Sequence, residues 1–504
     1  MTAVSALQAV LTSGQPVAEH RPWPRVIVTG EIWNRLVAGL AEGAWTLLGL
    51  WGEAGRVHLA LREQTGAPGV ASLACPDGQF PSVGRWHPPA QRLERASADL
   101  VGLQPIAAAD TRPWLDHGRW PVRHPLGKAT APTEPAPPYP FLAAEGESLH
   151  QIPVGPVHAG IIEPGHFRFT ASGETVVRLE ERLGYVHKGI ERLLLGSPLE
   201  RAARLAGRVS GDSTVAYTIA FARAVEAATD TEIPARSHWL RALLAELERL
   251  ANHYGDIGAI CNDAAFALMH AQCGVLREQV LRASATCFGH RLLMDRVLPG
   301  GVAGDLSTDG VAALRALIAD LRRQFAPLIE LYDNTASLQD RTVGTGILRS
   351  DLVNQFGCGG YIGRASGRDF DARRAPGYPP YDQLQFEVPV RNEGDVDARV
   401  WIRILEVEQS LRLIEQILDR VPPGPWRCEL APSASEGVAL VEGFRGDILV
   451  WLRLAADGTV ARCHLRDPSW FQWPLLEAAI EGNIVADFPL CNKSFNCSYS
   501  GHDL

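Results

Sequence analysis

Cysteines are the residues of this chain best suited to hold a redox metal, but their spacing does not form a metal site. The chain has 504 residues and nine cysteines, and no two of them form a Cys-x-x-Cys pair, the spacing typical of thiolate ligands. An odd number of cysteines scattered along a long chain predicts reduced thiols, most of them small core residues, instead of a disulfide framework. They are Cys75, Cys261, Cys273, Cys287, Cys358, Cys428, Cys463, Cys491 and Cys497.

Other motifs that carry chemistry at a fixed spacing are also missing. The sequence contains no P-loop and no HExxH zinc motif. The run Gly357-Cys-Gly-Gly-Tyr-Ile-Gly363 lacks the GxGxxG spacing of a dinucleotide-binding loop. A structural turn or a close approach of two backbones is therefore the favoured interpretation. His187 and Glu191 are four residues apart, which favours a structural role on one face of a helix.

Charge and hydropathy restrict the class of protein. The formal net charge of −9 argues against a general nucleic-acid-binding protein. Arginines beside acidic residues indicate solvated or ion-paired helix faces, with a buried subunit interface as the alternative. Charged residues interrupt the longest apolar stretch, 437–454, and the first 19 residues lack a signal-peptide pattern. These features predict a cytoplasmic protein without a membrane span of its own.

The first part of the chain has the pattern of a small α/β domain. Short β-prone runs bounded by glycine-rich turns lie at 25–29, 45–51 and 57–61. We place this domain at residues 1–125. A proline-rich stretch follows, which favours a stiff, extended chain and predicts a linker over residues 126–150. Its prolines are Pro132, Pro135, Pro137, Pro138 and Pro140.

Helical patterns dominate residues 151–504. Apolar residues recur every three or four positions, which predicts long amphipathic helices around 240–251, 311–331 and 400–418. Strand patterns return at 437–465, and the tail after Asn492 is polar and poor in helix formers. The predicted fold class is α+β, with the small N-terminal α/β domain followed by a mainly helical domain with peripheral β hairpins.

Several segments, in order along the chain, resemble one protein family. In the large domain they are Gly155-Pro-Val-His-Ala-Gly-Ile-Ile-Glu-Pro-Gly-His-Phe-Arg-Phe169, Arg182-Leu-Gly-Tyr-Val-His-Lys-Gly-Ile-Glu191, Gly363-Arg-Ala-Ser-Gly367, Gly394-Asp-Val-Asp-Ala-Arg399 and Glu442-Gly-Phe-Arg-Gly-Asp447. These segments are similar to the large subunits of NiFe hydrogenases allied to formate hydrogenlyase, and to the 49-kilodalton subunit of respiratory complex I.

The N-terminal domain resembles a second subunit of complex I, the 30-kilodalton one. The segments that carry this resemblance are Glu94-Arg95, Asp99-Leu-Val-Gly102 and Asp110-Thr-Arg-Pro-Trp114. The resemblance therefore implies a fusion of the two subunits, in which residues 151–504 have a hydrogenase-large-subunit-like fold.

The segments that bind metal in this family depart from its pattern. Active relatives hold nickel and iron with two Cys-x-x-Cys pairs, since soft thiolates donate strongly to such metals. On this resemblance, Ser210 and Ser213 stand at the first pair, and Ser469 and Gln472 stand at the second. A neutral hydroxyl is a poor ligand for a soft metal. The sequence therefore predicts no metal and no directly bound cofactor, and an active hydrogenase with unusual ligands is the least favoured alternative.

The complex I branch of the family binds quinone in the corresponding cavity, partly through a tyrosine and a histidine. The tyrosine position falls near Gly211 and is not retained, whereas His158 in the first loop is a candidate for the histidine. Carboxylates and histidines in a partly buried cleft often have shifted pKa values and can carry protons. An ion-paired structural network, such as Arg208 with Asp212 or Asp467, is the alternative. By analogy the cavity is lined by His158, Glu163, His166, Arg208, Asp212 and Asp467.

The resemblance also implies partners and a function. A large subunit of this type is expected to contact an iron–sulfur small subunit, which carries the clusters, and antiporter-like membrane subunits at the cytoplasmic side of the inner or plasma membrane. The expected function is coupling of electron transfer, of the NADH or quinone type, to this membrane arm. The alternative is a non-catalytic subunit that keeps a hetero-oligomeric complex assembled and transmits conformational change.

Overall fold

The computed structural model describes residues 6–64, 67–132, 137–431 and 433–504. Within these ranges it combines helices with five small sheets, which confirms the α+β class. None of the helices in these ranges has the length and apolarity needed to cross a membrane. Pro135 lies outside the described residues.

The N-terminal part consists of a mixed sheet with helices packed on it. Its elements are α1 (Ala6–Leu11), β1 (Gln15–Pro16), β2 (His20–Arg21), β3 (Arg25–Val28), α2 (Gly30–Ala41), β4 (Thr46–Glu53), β5 (Arg56–Arg62), β6 (Gly69–Ala74), β7 (Gln79–Pro81), α3 (Gln91–Val101) and β8 (Gln104–Ile106). The five-stranded sheet has the order β1-β3-β6-β5-β4, in which β3 and β6 are parallel. The three predicted β-prone runs correspond to β3, β4 and β5.

The second part begins with an antiparallel sheet and continues into a helical region. Its elements are β9 (Leu149–Val154), β10 (His166–Ser172), β11 (Thr175–Arg182), α4 (Ile190–Leu194), α5 (Leu199–Ala206), α6 (Thr214–Ala228), α7 (Ala235–Asp263), α8 (Ala267–Phe288), β12 (Val297–Leu298), β13 (Gly301–Val302), α9 (Thr308–Asn334) and α10 (Ala336–Thr342). The apolar stripe predicted around 240–251 is buried in α7, which packs along α8.

The remainder of the chain returns to a sheet and ends in three helices. Its elements are α11 (Ser350–Gln355), α12 (Gly360–Ala365), α13 (Val396–Arg420), β14 (Glu436–Glu442), β15 (Asp447–Leu454), β16 (Val460–Arg466), α14 (Ser469–Ala479), α15 (Phe488–Phe495) and α16 (Tyr499–Asp503). The predicted helices at 311–331 and 400–418 are α9 and α13, and the predicted strands at 437–465 are β14 to β16. The polar tail is helical and largely buried.

The hydrophobic core continues from the N-terminal part into the rest of the molecule. Strand β2 adds a parallel edge to the sheet of β14, β15 and β16. Trp51 on β4 stacks between the His58 and His464 rings, with ring centroids 5.2 and 5.0 Å away. The buried Arg25 guanidinium lies 2.8 Å from the Glu436 carboxylate. The domain boundaries at residues 125 and 151 remain predictions from the sequence. Side chains from the N-terminal part pack against residues of the later part.

Several arginines predicted on helix faces are instead buried inside the chain. Arg364 donates from Nε to Glu406 at 2.8 Å and from Nη1 to Glu442 at 2.9 Å. His253 Nε2 lies 2.8 Å from the other Glu406 oxygen. Exposed pairs such as Arg204 with Glu200 on α5 also occur. Buried charges need partners because an isolated charge in the interior is strongly destabilising.

Replacing Arg364 with methionine should destabilise the protein by about 3–5 kcal/mol, because Glu406 and Glu442 would stay buried without their cation. Urea unfolding followed by tryptophan fluorescence measures this change. The control is Arg204→Met, which breaks an exposed pair and should leave the unfolding midpoint almost unchanged. Equal midpoints for the two variants would contradict a stabilising role of the buried network.

Candidate functional site

The first ligand frame of the family lies in the loop between α5 and α6. Ser210 and Ser213 are both buried there. The Ser210 hydroxyl donates to the Asp212 carboxylate at 2.7 Å, and its oxygen lies 2.9 Å from the Ser498 hydroxyl oxygen of the C-terminal tail. The Ser213 hydroxyl also donates to Asp212, at 3.3 Å. Two loop hydroxyls therefore converge on one carboxylate.

The second frame lies where β16 passes into α14. Ser469 and Gln472 are fully buried. The Ser469 hydroxyl oxygen accepts the Ser498 backbone N–H at 2.9 Å, and the Gln472 amide donates to the Arg445 carbonyl oxygen at 2.8 Å. Because Ser498 also touches Ser210, the tail joins the two frames.

Arg445, in the turn between β14 and β15, occupies the space between the frames. Its guanidinium forms a two-pronged ion pair with Asp212, in which Nη1 donates at 2.8 Å, and Nη1 also donates to Ser213 at 3.3 Å. Its Nε donates to the Asn496 carbonyl oxygen. Burial alone would raise the pKa of Asp212, but the Arg445 guanidinium holds that pKa below its usual range.

The glycine run 357–363, which lacks the spacing of a nucleotide loop, serves to position this turn. Gly360 has a φ of +67°, and a Cβ on it would lie 1.8 Å from the Arg445 carbonyl oxygen. Only a residue without a side chain allows this approach of two backbones. The interpretation as a close backbone approach is confirmed.

The four positions come together, but their donor set does not fit a nickel–iron centre. Three hydroxyls and an amide replace four thiolates, and the hydroxyls are bonded to protein groups. The Arg445 guanidinium contacts Ser213 and offers only hydrogen-bond donors. Over the described part of the chain, no group of three or more His, Cys, Asp or Glu residues could hold a metal ion.

Asp467 is buried beside this centre and bonded to a residue that the sequence patterns did not indicate. The Tyr217 hydroxyl donates to Asp467 at 2.5 Å, and burial raises the tyrosine's pKa well above its ordinary value. Tyr217 is four residues after Ser213, so the spacing of one helical turn is the signal that could have identified it. The tail packs closely here, since a Cβ on Gly501 would lie 2.4 Å from the Asp467 carboxylate.

His158 and Glu163 lie in the loop between β9 and β10 and reach the C-terminal tail. The Glu163 carboxylate is exposed and accepts the Ser500 N–H at 3.0 Å. The His158 ring lies 6.2 Å from the Tyr499 ring, and its buried Nε2 has no hydrogen-bond partner among the described residues. Burial lowers the pKa of His158, which favours a neutral ring near pH 7.

His166 and Arg208 form no hydrogen bond or ion pair with the four frame residues in the described part of the chain. His166 is buried, and its Nδ1 lies 3.2 Å from the Gly155 carbonyl oxygen. Arg208 is exposed and pairs with Asp295 at 2.8 Å, not with Asp212 or Asp467. Thus Asp212 pairs with Arg445, and Asp467 accepts from Tyr217. The predicted pairing through Arg208 does not occur.

His187 and Glu191 do not share a helix face, because α4 begins at Ile190. His187 Nδ1 lies 2.7 Å from the Asp503 carbonyl oxygen. Glu191 forms 2.8 Å contacts with both Arg462 and His464. Both residues are structural, but they stabilise the chain through distant partners and not through one another.

Gly360→Ala should destabilise the protein by about 3 kcal/mol, because the new methyl group meets the Arg445 backbone in addition to the cost of a left-handed conformation. Gly344→Ala is a matched control, since Gly344 has a φ of +76° but open space around its Cβ position. The control should lose about 1 kcal/mol. Urea unfolding of the purified variants measures both changes, and equal losses would contradict the close approach.

Comparison with known proteins identifies the family. The sequence pattern of the family described as the respiratory-chain NADH dehydrogenase 49-kilodalton subunit matches residues 263–436. Formate hydrogenlyase subunit 5 of Escherichia coli is 32% identical over 437 residues, which cover 84% of this chain and 77% of that protein. An NADH-quinone oxidoreductase subunit of Syntrophobacter fumaroxidans is 30% identical over 69% of this chain and 94% of its own.

A solved structure supports the same assignment. A chain of the membrane-bound sulfane sulfur reductase, described as an archaeal respiratory membrane complex, aligns with a TM-score of 0.66 and 25% identity, covering 72% of this chain and 100% of that one. The recognised segments, the converging frames and these relatives agree. The chain therefore belongs to the family of the 49-kilodalton subunit of respiratory NADH dehydrogenase and the related large subunits of formate-hydrogenlyase-type hydrogenases.

Proposed function

We propose that this chain is a peripheral subunit of a membrane-associated oxidoreductase complex and that it works without a nickel–iron centre of its own. The observation that carries the proposal is the Arg445–Asp212 ion pair between the two ligand frames. A guanidinium has no lone pair to give a metal, and its positive charge disfavours a cation at the same place. The ligand positions thus hold a hydrogen-bonded protein core.

The relatives indicate the kind of complex. One belongs to formate hydrogenlyase, one belongs to NADH-quinone oxidoreductase, and the aligned structure comes from a respiratory membrane complex. By analogy, electrons arrive from iron–sulfur clusters in a small partner subunit, and antiporter-like subunits form the membrane arm beneath this chain on the cytoplasmic side. The chain then couples electron transfer to that arm.

A quinone is the acceptor that the residues suit best. Its carbonyl oxygens require hydrogen-bond donors, and reduction adds two electrons and two protons. A neutral His158 with its proton on Nε2 offers such a donor, since that nitrogen has no partner among the described residues. Tyr499 packs near His158 and carries a buried hydroxyl, which is a second donor at this place.

A non-catalytic role is the second candidate, and one observation favours it. Arg445, Ser498 and Asp212 join the α5–α6 loop, α14 and the tail into one hydrogen-bonded unit. Such a unit would keep the complex assembled and transmit movement between partners without reacting. Activity of the purified complex toward quinone separates the two candidates.

Elemental analysis of the purified complex should find iron from the partner subunit and no stoichiometric nickel, because the frames supply no thiolate. A formate-hydrogenlyase-type hydrogenase purified in the same way is the control and should contain nickel. One nickel per copy of this chain would overturn the proposal.

His158→Ala should lower quinone reduction by the purified complex about tenfold, which corresponds to the loss of one hydrogen bond to the acceptor. His150→Ala on β9 is the control, because that side chain is exposed on the strand. Equal rates for wild type and His158→Ala would remove His158 from the acceptor site. A complex that contains all its subunits and shows no quinone reduction would favour the non-catalytic candidate.

A further inference from the structure

A pocket of about 120 Å³ lies beside Asp212, between α7, α8 and the loop after α8. One water molecule needs roughly 10–15 Å³ of such space, so the pocket can hold several. Its lining is mostly apolar, with leucines from α7, α8 and the loop. Gly211 and Arg291 line it and are exposed, which opens the pocket to solvent.

Glu248 on α7 is a buried acid that forms part of the pocket wall. Its two carboxyl oxygens accept the backbone N–H groups of Val215 and Ala216, at 2.7 and 3.1 Å. These groups belong to the first turn of α6, the helix that follows the first ligand frame. Burial, and to a smaller degree Asp212, raises the pKa of Glu248 to about 8.

Asp212 lines the same pocket, so both acidic residues border it. The Asn252 amide links their backbones, donating to the Asp212 and Glu248 carbonyl oxygens at 2.7 and 2.8 Å. Asp212 in turn accepts from Ser210 and pairs with Arg445. The pocket therefore connects solvent to the hydrogen-bonded centre.

The other charged groups that face Glu248 come from three elements. Arg249 follows it directly on α7, Arg277 projects from α8, and Arg291 lies in the following loop. Arg291 is paired with Glu278. Arg277 is partly buried and has neither a hydrogen bond nor an ion pair among the described residues. Its charge acts on the neighbouring Glu278, and Arg249 is the cation that would stabilise a carboxylate formed at Glu248.

We propose that this pocket is the proton access route of the complex, and that Glu248 is the residue that exchanges protons between solvent and the Asp212–Arg445 centre. The use of the proton rests on the proposed function. Reduction of one quinone takes two electrons, which partner clusters would supply, and two protons, so the Glu248 O–H bond breaks twice in each cycle and each proton passes through the pocket toward the acceptor. A proton from solvent then restores the acid, so charge and atoms balance.

A structural role for Glu248 as a cap of α6 predicts different behaviour from a proton-exchanging role. In Glu248→Gln the amide oxygen still accepts one of the Val215 and Ala216 N–H groups, which bond to different carboxyl oxygens in the wild type. An amide cannot release a proton at neutral pH. Ala251→Leu keeps the acid and fills the pocket, because Ala251 lines it. Glu200→Gln, on the exposed face of α5, is the matched control.

The first experiment uses the purified full-length chain and does not require activity. Infrared difference spectra between wild type and Glu248→Gln should show one band from a protonated carboxyl group. This band should disappear as the pH is raised, with a midpoint near pH 8. In heavy water this band should shift promptly in wild type and about tenfold more slowly in Ala251→Leu. Absence of the band, or equal exchange rates in the two proteins, would overturn the proposal.

The second experiment measures quinone reduction by the assembled complex over the same pH range. Glu248→Gln should lower turnover on the order of 100-fold, with Glu248→Asp intermediate and Glu200→Gln unchanged. If Glu248→Gln does not fold, the turnover of Glu248→Asp and of Ala251→Leu is compared with that of the wild type instead. Wild-type turnover in a folded Glu248→Gln complex would overturn this inference and leave the proposed function standing. A wild-type complex without turnover would refute the proposed function, while the exchange experiment would still decide on Glu248.

Discussion

The ion pair between Arg445 and Asp212 is the interaction on which the centre of this protein depends. A guanidinium buried without a carboxylate would cost several kcal/mol, so the turn that carries Arg445 requires the α5–α6 loop beside it. The same arginine donates to the Asn496 carbonyl oxygen, and its own carbonyl oxygen accepts from Gln472. Segments far apart in the sequence are thereby held in one arrangement, and the ligand positions of the family face one another.

Other buried arginines in the structure also require acidic partners from distant segments. Arg364 requires Glu406 and Glu442, and Arg92 lies between Glu181 and Glu477, with its Nη2 2.7 Å from the latter. Each buried cation joins elements that apolar packing alone could place in several registers. Charge pairing therefore adds specificity to a core that runs from the N-terminal sheet to the C-terminal helices.

The exchange of thiolates for an ion pair changes what the centre can do. Soft ligands support metal redox chemistry, whereas carboxylates, hydroxyls and a guanidinium support hydrogen bonding and proton transfer. The chain keeps the second set, together with a pocket that opens to solvent beside Glu248. Electron transfer, in the function proposed above, is left to partner clusters, and this chain supplies acceptor binding and protons.

The sequence by itself determined the features that depend on neighbouring residues. The long helices follow from apolar spacing, and the loss of the thiolates follows from Ser210, Ser213, Ser469 and Gln472 within short frames. Tertiary structure decided the pairings, because Arg445 is 233 residues from Asp212. The tail shows the same limit: its residues are polar and poor in helix formers, yet it is helical and is buried by partners from distant parts of the chain. Local spacing carries no information on which distant charge a buried group will meet, and only the folded chain supplies it.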